Sequence, residues 1–221
     1  MNKQHFFIAV EGADGSGKST FVRWLSDEMT AANLPHVSTR EPGGTPIAEE
    51  LRRIALVKRD DDDLCPQAAA ATMLAARIQH AYKLIAPSLR EGRSVITDRY
   101  YPSTYVIQGL VGGDFDFVHR LHQAIKLPQP DLIIYLRVSA ETAIERLAER
   151  NGSDNDRFKD ADTVRNVCAA WDTYFQQLHH LFHPGVDVLT LDASYGKEEL
   201  YAILKDQDLL GQIRREVASK G

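Results

Sequence analysis

The chain has 221 residues, of which 43% are hydrophobic and 26% are charged, as is typical of one globular domain with a sizeable core. The formal net charge of −5 argues against nucleic acid polymers as partners, since a polyanion would need a local basic cluster. The polar N-terminal residues do not form a signal peptide and no stretch reaches transmembrane length, so we expect a cytoplasmic protein without membrane contacts.

The first predicted element is a buried strand, Phe6 to Val10, followed by a glycine-rich turn and a helix from Lys18. Gly12, Gly17, Lys18 and Ser19 fit the pattern G-x-x-x-x-G-K-[ST] in the required strand, loop and helix context. Such a loop lets backbone N–H groups converge on a phosphate, and the helix N-terminus adds a positive dipole. The motif predicts a bound nucleoside triphosphate, with Lys18 on its outer phosphates and the Ser19 hydroxyl on Mg²⁺. The predicted phosphate site consists of Gly12, Ala13, Asp14, Gly15, Ser16, Gly17, Lys18, Ser19 and Thr20.

Helical and strand patterns alternate along the rest of the chain. The first half predicts a helix at Thr20–Ala32, a strand at His36–Thr39, a turn at Arg40–Thr45 and a helix at about Pro46–Val57. A charged loop and a long helix at Pro66–Arg90 follow, and Pro87 should kink this helix or mark its last turns. The second half predicts strands at Ser94–Thr97, Asp131–Val138 and Val186–Leu191, and helices at Pro102–Gly109, Asp114–Lys126, Ser139 to about Arg150, Ala161–Phe182 and from about Lys197. The alternation predicts an α/β fold, a doubly wound parallel sheet of five strands flanked by helices. Ligands should gather at the carboxyl ends of its strands.

Asp98 and Arg99 follow an apolar strand directly. A carboxylate at such a strand end can hold Mg²⁺ or its waters beside the phosphate loop, and a neighbouring guanidinium can clamp a second phosphate. A structural ion pair at the sheet edge is the alternative. The phosphate loop in the same chain favours the functional interpretation.

Two pairs of residues at i, i+4 spacing indicate a binding face. Met73 and Arg77 share one face of the long helix, and Thr104 and Gln108 share one face of the next. Arg77, Thr104 and Gln108 can all hydrogen-bond the edge of a nucleobase. Taken singly, each is equally compatible with a solvated polar residue.

The helix after the predicted strand Asp131–Val138 leads into a polar loop. Arg146 and Arg150 lie before this loop, and Arg157 lies within it. Phosphoryl transfer needs positive charge over the migrating group and exclusion of water, and a mobile lid that carries arginines supplies both. The alternative is a helix surface with Glu–Arg pairs, because Glu145 and Glu149 interleave with the arginines.

Histidines and cysteines form no metal or nucleophile motif in this sequence. Cys65 and Cys168 are far apart, as expected for reduced thiols. His179, His180 and His183 are close in sequence, and we interpret them as an exposed helix end.

Several of these segments together resemble the thymidylate kinase family of nucleoside monophosphate kinases. The resemblance runs from Phe6 to about Glu199, and REPGGT followed by DRY is its most specific part. The matching segments are EGADGSGKST at 11–20, TREPGGTPIAEELR at 39–52, AARIQH at 75–80, DRYYPST…QG at 98–109 and DRF at 156–158. The resemblance implies a single P-loop kinase domain over residues 1–221, with a lid at about 146–160. It implies transfer of the γ-phosphoryl group from ATP to dTMP with Mg²⁺, and a homodimer formed through helices beside the DRY segment.

The resemblance also implies roles for single residues. Asp14 would lie near the acceptor's 3′-hydroxyl, Arg99 would hold its phosphate and Arg52 would face the acceptor site. Family members with glycine at the position of Gly15 supply an arginine from the lid, which the lid arginines fit. The implied acceptor site is Asp14, Glu41, Pro42, Arg52, Met73, Arg77, Arg99, Tyr100, Thr104 and Gln108. The implied catalytic set is Lys18, Asp98, Arg99, Arg146, Arg150 and Arg157, and the implied metal ligands are Ser19 and Asp98.

Three positions depart from the family pattern. Met73 replaces a phenylalanine that stacks on the base, Ile107 replaces an aromatic residue, and Arg137 replaces an acidic one. These changes leave the phosphoryl-transfer residues intact and bear on the choice of base. The alternatives are a kinase for another deoxynucleoside monophosphate, a deoxynucleoside kinase with Glu41 as the base on the 5′-hydroxyl, and a nucleotide-binding module that transfers no phosphate.

Overall fold

A computed structural model of the chain describes residues 5–57, 62–149, 160–206, 208–211, 213 and 215. Its sheet has five strands, all paired in parallel, in the order β2-β3-β1-β4-β5. The strands are β1 (Phe7–Glu11), β2 (His36–Arg40), β3 (Ser94–Asp98), β4 (Leu132–Arg137) and β5 (Asp187–Asp192). The five-stranded parallel sheet predicted from the alternating pattern is therefore confirmed.

The central strand β1 explains why the sheet needs cover on both faces. Every residue of β1 is buried, so its alternate side chains enter two different cores. Phe7 and Ala9 belong to a core with side chains from residues 70–174, whereas Ile8 and Val10 share a second core with the helix that follows the strand. Helices on both faces enclose these two cores, which is the doubly wound arrangement.

Ten α-helices have defined bounds in the described part of the chain. They are α1 (Lys18–Ala31), α2 (Pro46–Leu56), α3 (Pro66–His80), α4 (Ala86–Arg90), α5 (Tyr101–Thr104), α6 (Phe115–Gln123), α7 (Ala140–Glu149), α8 (Ala161–Thr173), α9 (His179–Phe182) and α10 (Lys197–Asp206). Side-chain caps fix several starts: Thr45 accepts from the N–H of Ala48 at 3.3 Å, and Asp114 accepts from that of Phe117 at 3.2 Å. No helix among the described residues is long and apolar enough to cross a membrane.

Three predicted helices are interrupted by π-helical segments, which are Ala81–Ile85, Tyr105–Val111 and Tyr174–Leu178. The first divides the long helix predicted at 66–90 into α3 and α4. The N–H of Ala86 reaches five residues back to the carbonyl of Ala81, immediately before Pro87, which has no N–H to donate. The expected perturbation at Pro87 thus takes the form of a change in hydrogen-bond register.

The interpretation of the histidines near residue 180 as an exposed helix end is wrong for His179. Its side chain is buried, stacked against Tyr101, and its Nε2 lies 3.1 Å from the Tyr101 hydroxyl. Burial lowers the pKa of His179 to about 4. The aromatic residues that surround it come from distant parts of the chain, so local sequence spacing could not indicate this contact.

Candidate active site

The glycine-rich loop between β1 and α1 has the shape of a phosphate cradle. Gly12, Gly15 and Gly17 all have positive φ, of 147°, 87° and 88°. A Cβ on Gly12 would lie 2.5 Å from the carbonyl oxygen of Leu136, and one on Gly15 would lie 2.8 Å from that of Ala143. Only glycine fits where the loop passes this close to backbone.

The start of α1 is open to an anion. Gly17 precedes the helix without a side-chain cap, so the first N–H groups are available to a ligand. The buried Ser16 hydroxyl has no hydrogen-bond partner among the described residues, and a phosphate bound in the loop could supply one. Thr20 lies in the first turn of the same helix and is partly buried.

Lys18 points back into the loop. Its Nζ donates to the carbonyl of Ala13 at 2.7 Å and lies 3.7 Å from Asp14 Oδ1. Burial, with repulsion from Arg99, lowers the pKa of Lys18 to about 8. A phosphate in the cradle would favour its charged form.

Ser19 and Asp98 meet at the carboxyl ends of the inner strands β1 and β3, as the sequence predicted. Val10 pairs with Asp98 across β1 and β3, so the end of β3 lies beside the start of the phosphate loop. The Ser19 hydroxyl donates to Asp98 Oδ2 at 2.6 Å. No group of three or more histidine, cysteine or acidic side chains able to hold a metal occurs in the described residues. This oxygen pair fits Mg²⁺, which takes few protein ligands and completes its shell with phosphates and water.

Arg99 lies at the mouth of the cradle with its backbone in the left-handed region, at a φ of 73°. Such a conformation in a side-chain-bearing residue costs roughly 1–3 kcal/mol and is typical of functional sites. Its guanidinium donates to Asp14 Oδ1, to the carbonyl of Gly12 at 3.3 Å and to the Ser103 hydroxyl at 3.0 Å. Burial opposes its charge, but Asp14 and Asp98 outweigh that and raise the pKa of Arg99.

Glu11 is a residue of this site to which the sequence analysis assigned no role. Its fully buried carboxylate accepts from the N–H of Tyr100 at 2.6 Å and from the Ser103 hydroxyl at 2.8 Å. It therefore fixes the backbone directly after the strained Arg99. Burial raises the pKa of Glu11 to about 7, although Arg99 opposes that shift. Its place at the carboxyl end of a buried strand was the signal available in the sequence.

The REPGG turn adds a second polar cluster. Buried Glu41 accepts from Arg77 Nε at 2.6 Å through one oxygen, and its other oxygen lies 2.9 Å from His80 Nδ1. Arg52 donates to the carbonyl of Pro42 at 3.0 Å. Burial and the charges of neighbouring arginines, Arg99 among them, lower the pKa of Arg52. The turn thus brings a further cation towards Arg99.

The predicted base-contacting residues come together only in part. Met73 is buried one turn before Arg77, and Arg77 Nη2 donates to Thr104 Oγ1 at 3.0 Å. Gln108 is partly buried in the π-helical segment after α5, and no hydrogen bond in the described part of the chain joins it to Arg77 or Thr104. Tyr100 contributes its carbonyl to Arg77 at 2.9 Å, while its ring is buried.

Of the three predicted lid arginines, only Arg146 can be placed. Its guanidinium donates to the carbonyls of Gly15 at 3.3 Å, Ala193 at 2.8 Å and Tyr195 at 3.1 Å. It therefore braces the back of the phosphate loop against the segment after β5. Arg150 and Arg157 lie outside the described residues.

A small cavity opens beside the cradle. Asp14 and Arg99 border its polar end, and Ile107, Val164 and Trp171 belong to its apolar wall. The buried indole N–H of Trp171 has no hydrogen-bond partner in the parts of the chain described.

The fold and the site together define a P-loop nucleotide-binding protein. The defining features are the parallel sheet, the glycine-rich phosphate cradle, Lys18 and the pair formed by Ser19 and Asp98. The family model described as thymidylate kinase matches residues 10–199, and the chain belongs to the thymidylate kinase family.

Two relatives are similar over most of their length. The chain is 41% identical over 161 residues to a thymidylate kinase of Ruegeria pomeroyi, an alignment that covers 72% of this chain and 75% of that protein. It is 38% identical over 211 residues to a thymidylate kinase of Francisella philomiragia, which covers 90% of this chain and 97% of that protein.

Proposed function

We propose that this chain transfers the γ-phosphoryl group of ATP to dTMP and releases ADP and dTDP. Membership of the thymidylate kinase family supports this reaction. The observation that carries the proposal is the position of Arg99, a fixed cation at the mouth of the phosphate cradle that also borders the neighbouring cavity. A cation in that position can bridge a donor phosphate and an acceptor phosphate.

In this proposal the cradle binds the ATP phosphates, and Lys18 neutralises charge on the outer ones. Ser19 and Asp98 would hold Mg²⁺, which when bound offsets negative charge on the phosphates. Arg99 and Arg52 bind the acceptor phosphate, and Asp14 accepts from its sugar. The acceptor oxygen is already an oxyanion, so transfer needs positioning and positive charge rather than a strong general base.

The contacts of Glu41 disfavour the deoxynucleoside kinase alternative. A base on a 5′-hydroxyl needs a carboxylate oxygen that can approach the substrate. Both oxygens of Glu41 are buried and engaged, one with Arg77 and one with His80. The cations Arg52 and Arg99 suit an acceptor that already carries phosphate.

The remaining parts of the proposal concern organisation. A single domain covers residues 1–221, and a lid at about 146–160 closes over the phosphates with Arg150 and Arg157. We also propose a cytoplasmic homodimer. Its interface would be formed by helices beside the DRY segment. Light scattering after size-exclusion chromatography measures the mass in solution.

An ADP-release assay over a panel of acceptors tests the reaction. The panel contains dTMP, dUMP, dCMP, dAMP, dGMP and thymidine, each with ATP and Mg²⁺ and each repeated with EDTA. We expect dTMP to give the highest kcat/KM and EDTA to abolish turnover. Faster turnover of thymidine would support a nucleoside kinase, and nucleotide binding without ADP release would support a binding module.

A further inference from the structure

The guanidinium of Arg77 is held on almost every side. It carries five N–H donors, and four bonds use them: Nε to Glu41 Oε2, Nη2 to the Tyr100 carbonyl and to Thr104 Oγ1, and Nη1 to His122 Nε2 at 2.8 Å. One N–H on Nη1 has no partner in the residues that the structure describes. That last donor is the one that can point to a ligand.

His122 is the acceptor that fixes Nη1. Its Nδ1 lies 2.8 Å from the carbonyl of Val118, one turn earlier on α6. A carbonyl only accepts, so Nδ1 carries the proton and Nε2 is free to accept from Arg77. Burial and the charge of Arg77 lower the pKa of His122 to about 3, which keeps the ring a neutral acceptor at any working pH.

The imidazole itself is held in place by its neighbours. Its ring lies 4.9 Å from that of Tyr105, whose hydroxyl contacts His119 Nδ1 at 3.0 Å. Together, the Tyr105 ring and the hydrogen bond to the Val118 carbonyl hold the imidazole in one orientation, with Nε2 directed at Arg77. A side chain on α6 thus controls how Arg77 on α3 presents its unused donor.

We propose that His122 is a positioning residue for Arg77 and so for recognition of the acceptor's base. The inference rests on the proposed function, in which Arg77 contacts the pyrimidine. Without the acceptor on α6, the Nη1 group loses its fixed direction and its free N–H no longer aims at the base. The substrate affinity then falls, while the phosphoryl-transfer machinery is untouched.

Three variants separate this role from simple packing. His122→Gln carries an oxygen that can reach Nη1, His122→Asn is polar but too short, and His122→Leu has similar bulk without an acceptor. We expect Asn and Leu to raise the KM for dTMP roughly tenfold, the size of one lost hydrogen bond to a charged group. Gln should stay within about threefold of wild type, and kcat and the KM for ATP should change by less than about twofold in all three.

A wild-type KM for dTMP in both Asn and Leu would overturn the inference, as would a Gln variant as impaired as Leu. If Leu does not fold, the comparison of Asn with Gln decides. A wild-type protein that transferred no phosphate to dTMP would refute the proposed function instead. In that case a thermal-shift titration with dTMP still reports whether the Asn variant, but not the Gln variant, loses affinity.

Discussion

The hydroxyl of Ser19 donates a hydrogen bond to Asp98 Oδ2 at 2.6 Å, although 79 residues separate them in sequence. The parallel pairing of β1 with β3 creates this contact, because it places the last residue of β3 beside the helix that follows β1. Two hard oxygen atoms at the edge of a phosphate cradle could supply two of the six ligands that Mg²⁺ takes, and we propose that they do so here.

Replacing Asp98 by Asn tests that site. The amide keeps the shape and loses the charge, so we expect the Mg²⁺ concentration for half-maximal activity to rise roughly tenfold. ADP release measured over a Mg²⁺ titration gives this value. Asp206→Asn, at an exposed position on α10, is the matched control. An unchanged Mg²⁺ dependence in Asp98→Asn would remove Asp98 from the metal site.

Lys18→Ala should abolish turnover without unfolding the protein. The ammonium is buried and faces the loop that would hold the phosphates, so its loss removes charge where negative charge develops. We expect kcat/KM to fall by about 10²-fold or more. Circular dichroism checks the fold, and Lys83→Ala, at an exposed position, serves as control. Full activity in Lys18→Ala would contradict the assigned role.

Glu11 predicts a pH dependence of stability. Its pKa is about 7 in the folded state against 4.5 for an ordinary glutamate, so the folded protein binds more protons than the unfolded chain between these values. The free energy of unfolding should therefore fall as pH rises from about 5 to about 7, by on the order of 3 kcal/mol.

Urea unfolding at several pH values measures this slope, and Glu11→Gln, which is neutral throughout, should flatten it. A slope identical in wild type and Glu11→Gln would show that another group is responsible.

Met73→Phe tests the first departure from the family pattern. Met73 is buried one turn before Arg77, where a ring could stack on the base. We expect a KM for dTMP lower by roughly threefold, which is the worth of a modest stacking contact, with kcat unchanged. Met73→Leu keeps the volume without the ring and should leave the KM as it is. An equal gain from leucine and phenylalanine would refute stacking as the cause.

Local pattern was enough to predict the cradle and the sheet. The conformation of the segment from Phe7 to Lys18 is determined locally, since a buried strand, glycines at positive φ and a helix start follow one another within a few residues. The meeting of Ser19 with Asp98 also followed from a general rule of parallel sheets. These features depend on neighbours in sequence or on strand order alone.

Contacts between distant helices could not be predicted in this way. The acceptor role of His122 requires α3 and α6 to meet in one register, and the bracing of the phosphate loop by Arg146 requires the segment after β5. Two of the π-helical segments also begin at aromatic residues that meet in space, since the rings of Tyr105 and Tyr174 stack 5.7 Å apart. Tertiary packing decided each of these features.

A crystal structure with dTMP and a non-hydrolysable ATP analogue would show whether Arg99 links two phosphorylated ligands. At present its guanidinium is paired with Asp14. We predict that in the ternary complex Arg99 contacts the acceptor phosphate, with the outer phosphate of the analogue in the cradle next to it. An acceptor phosphate bound elsewhere, with Arg99 turned away from both ligands, would contradict the proposed mechanism.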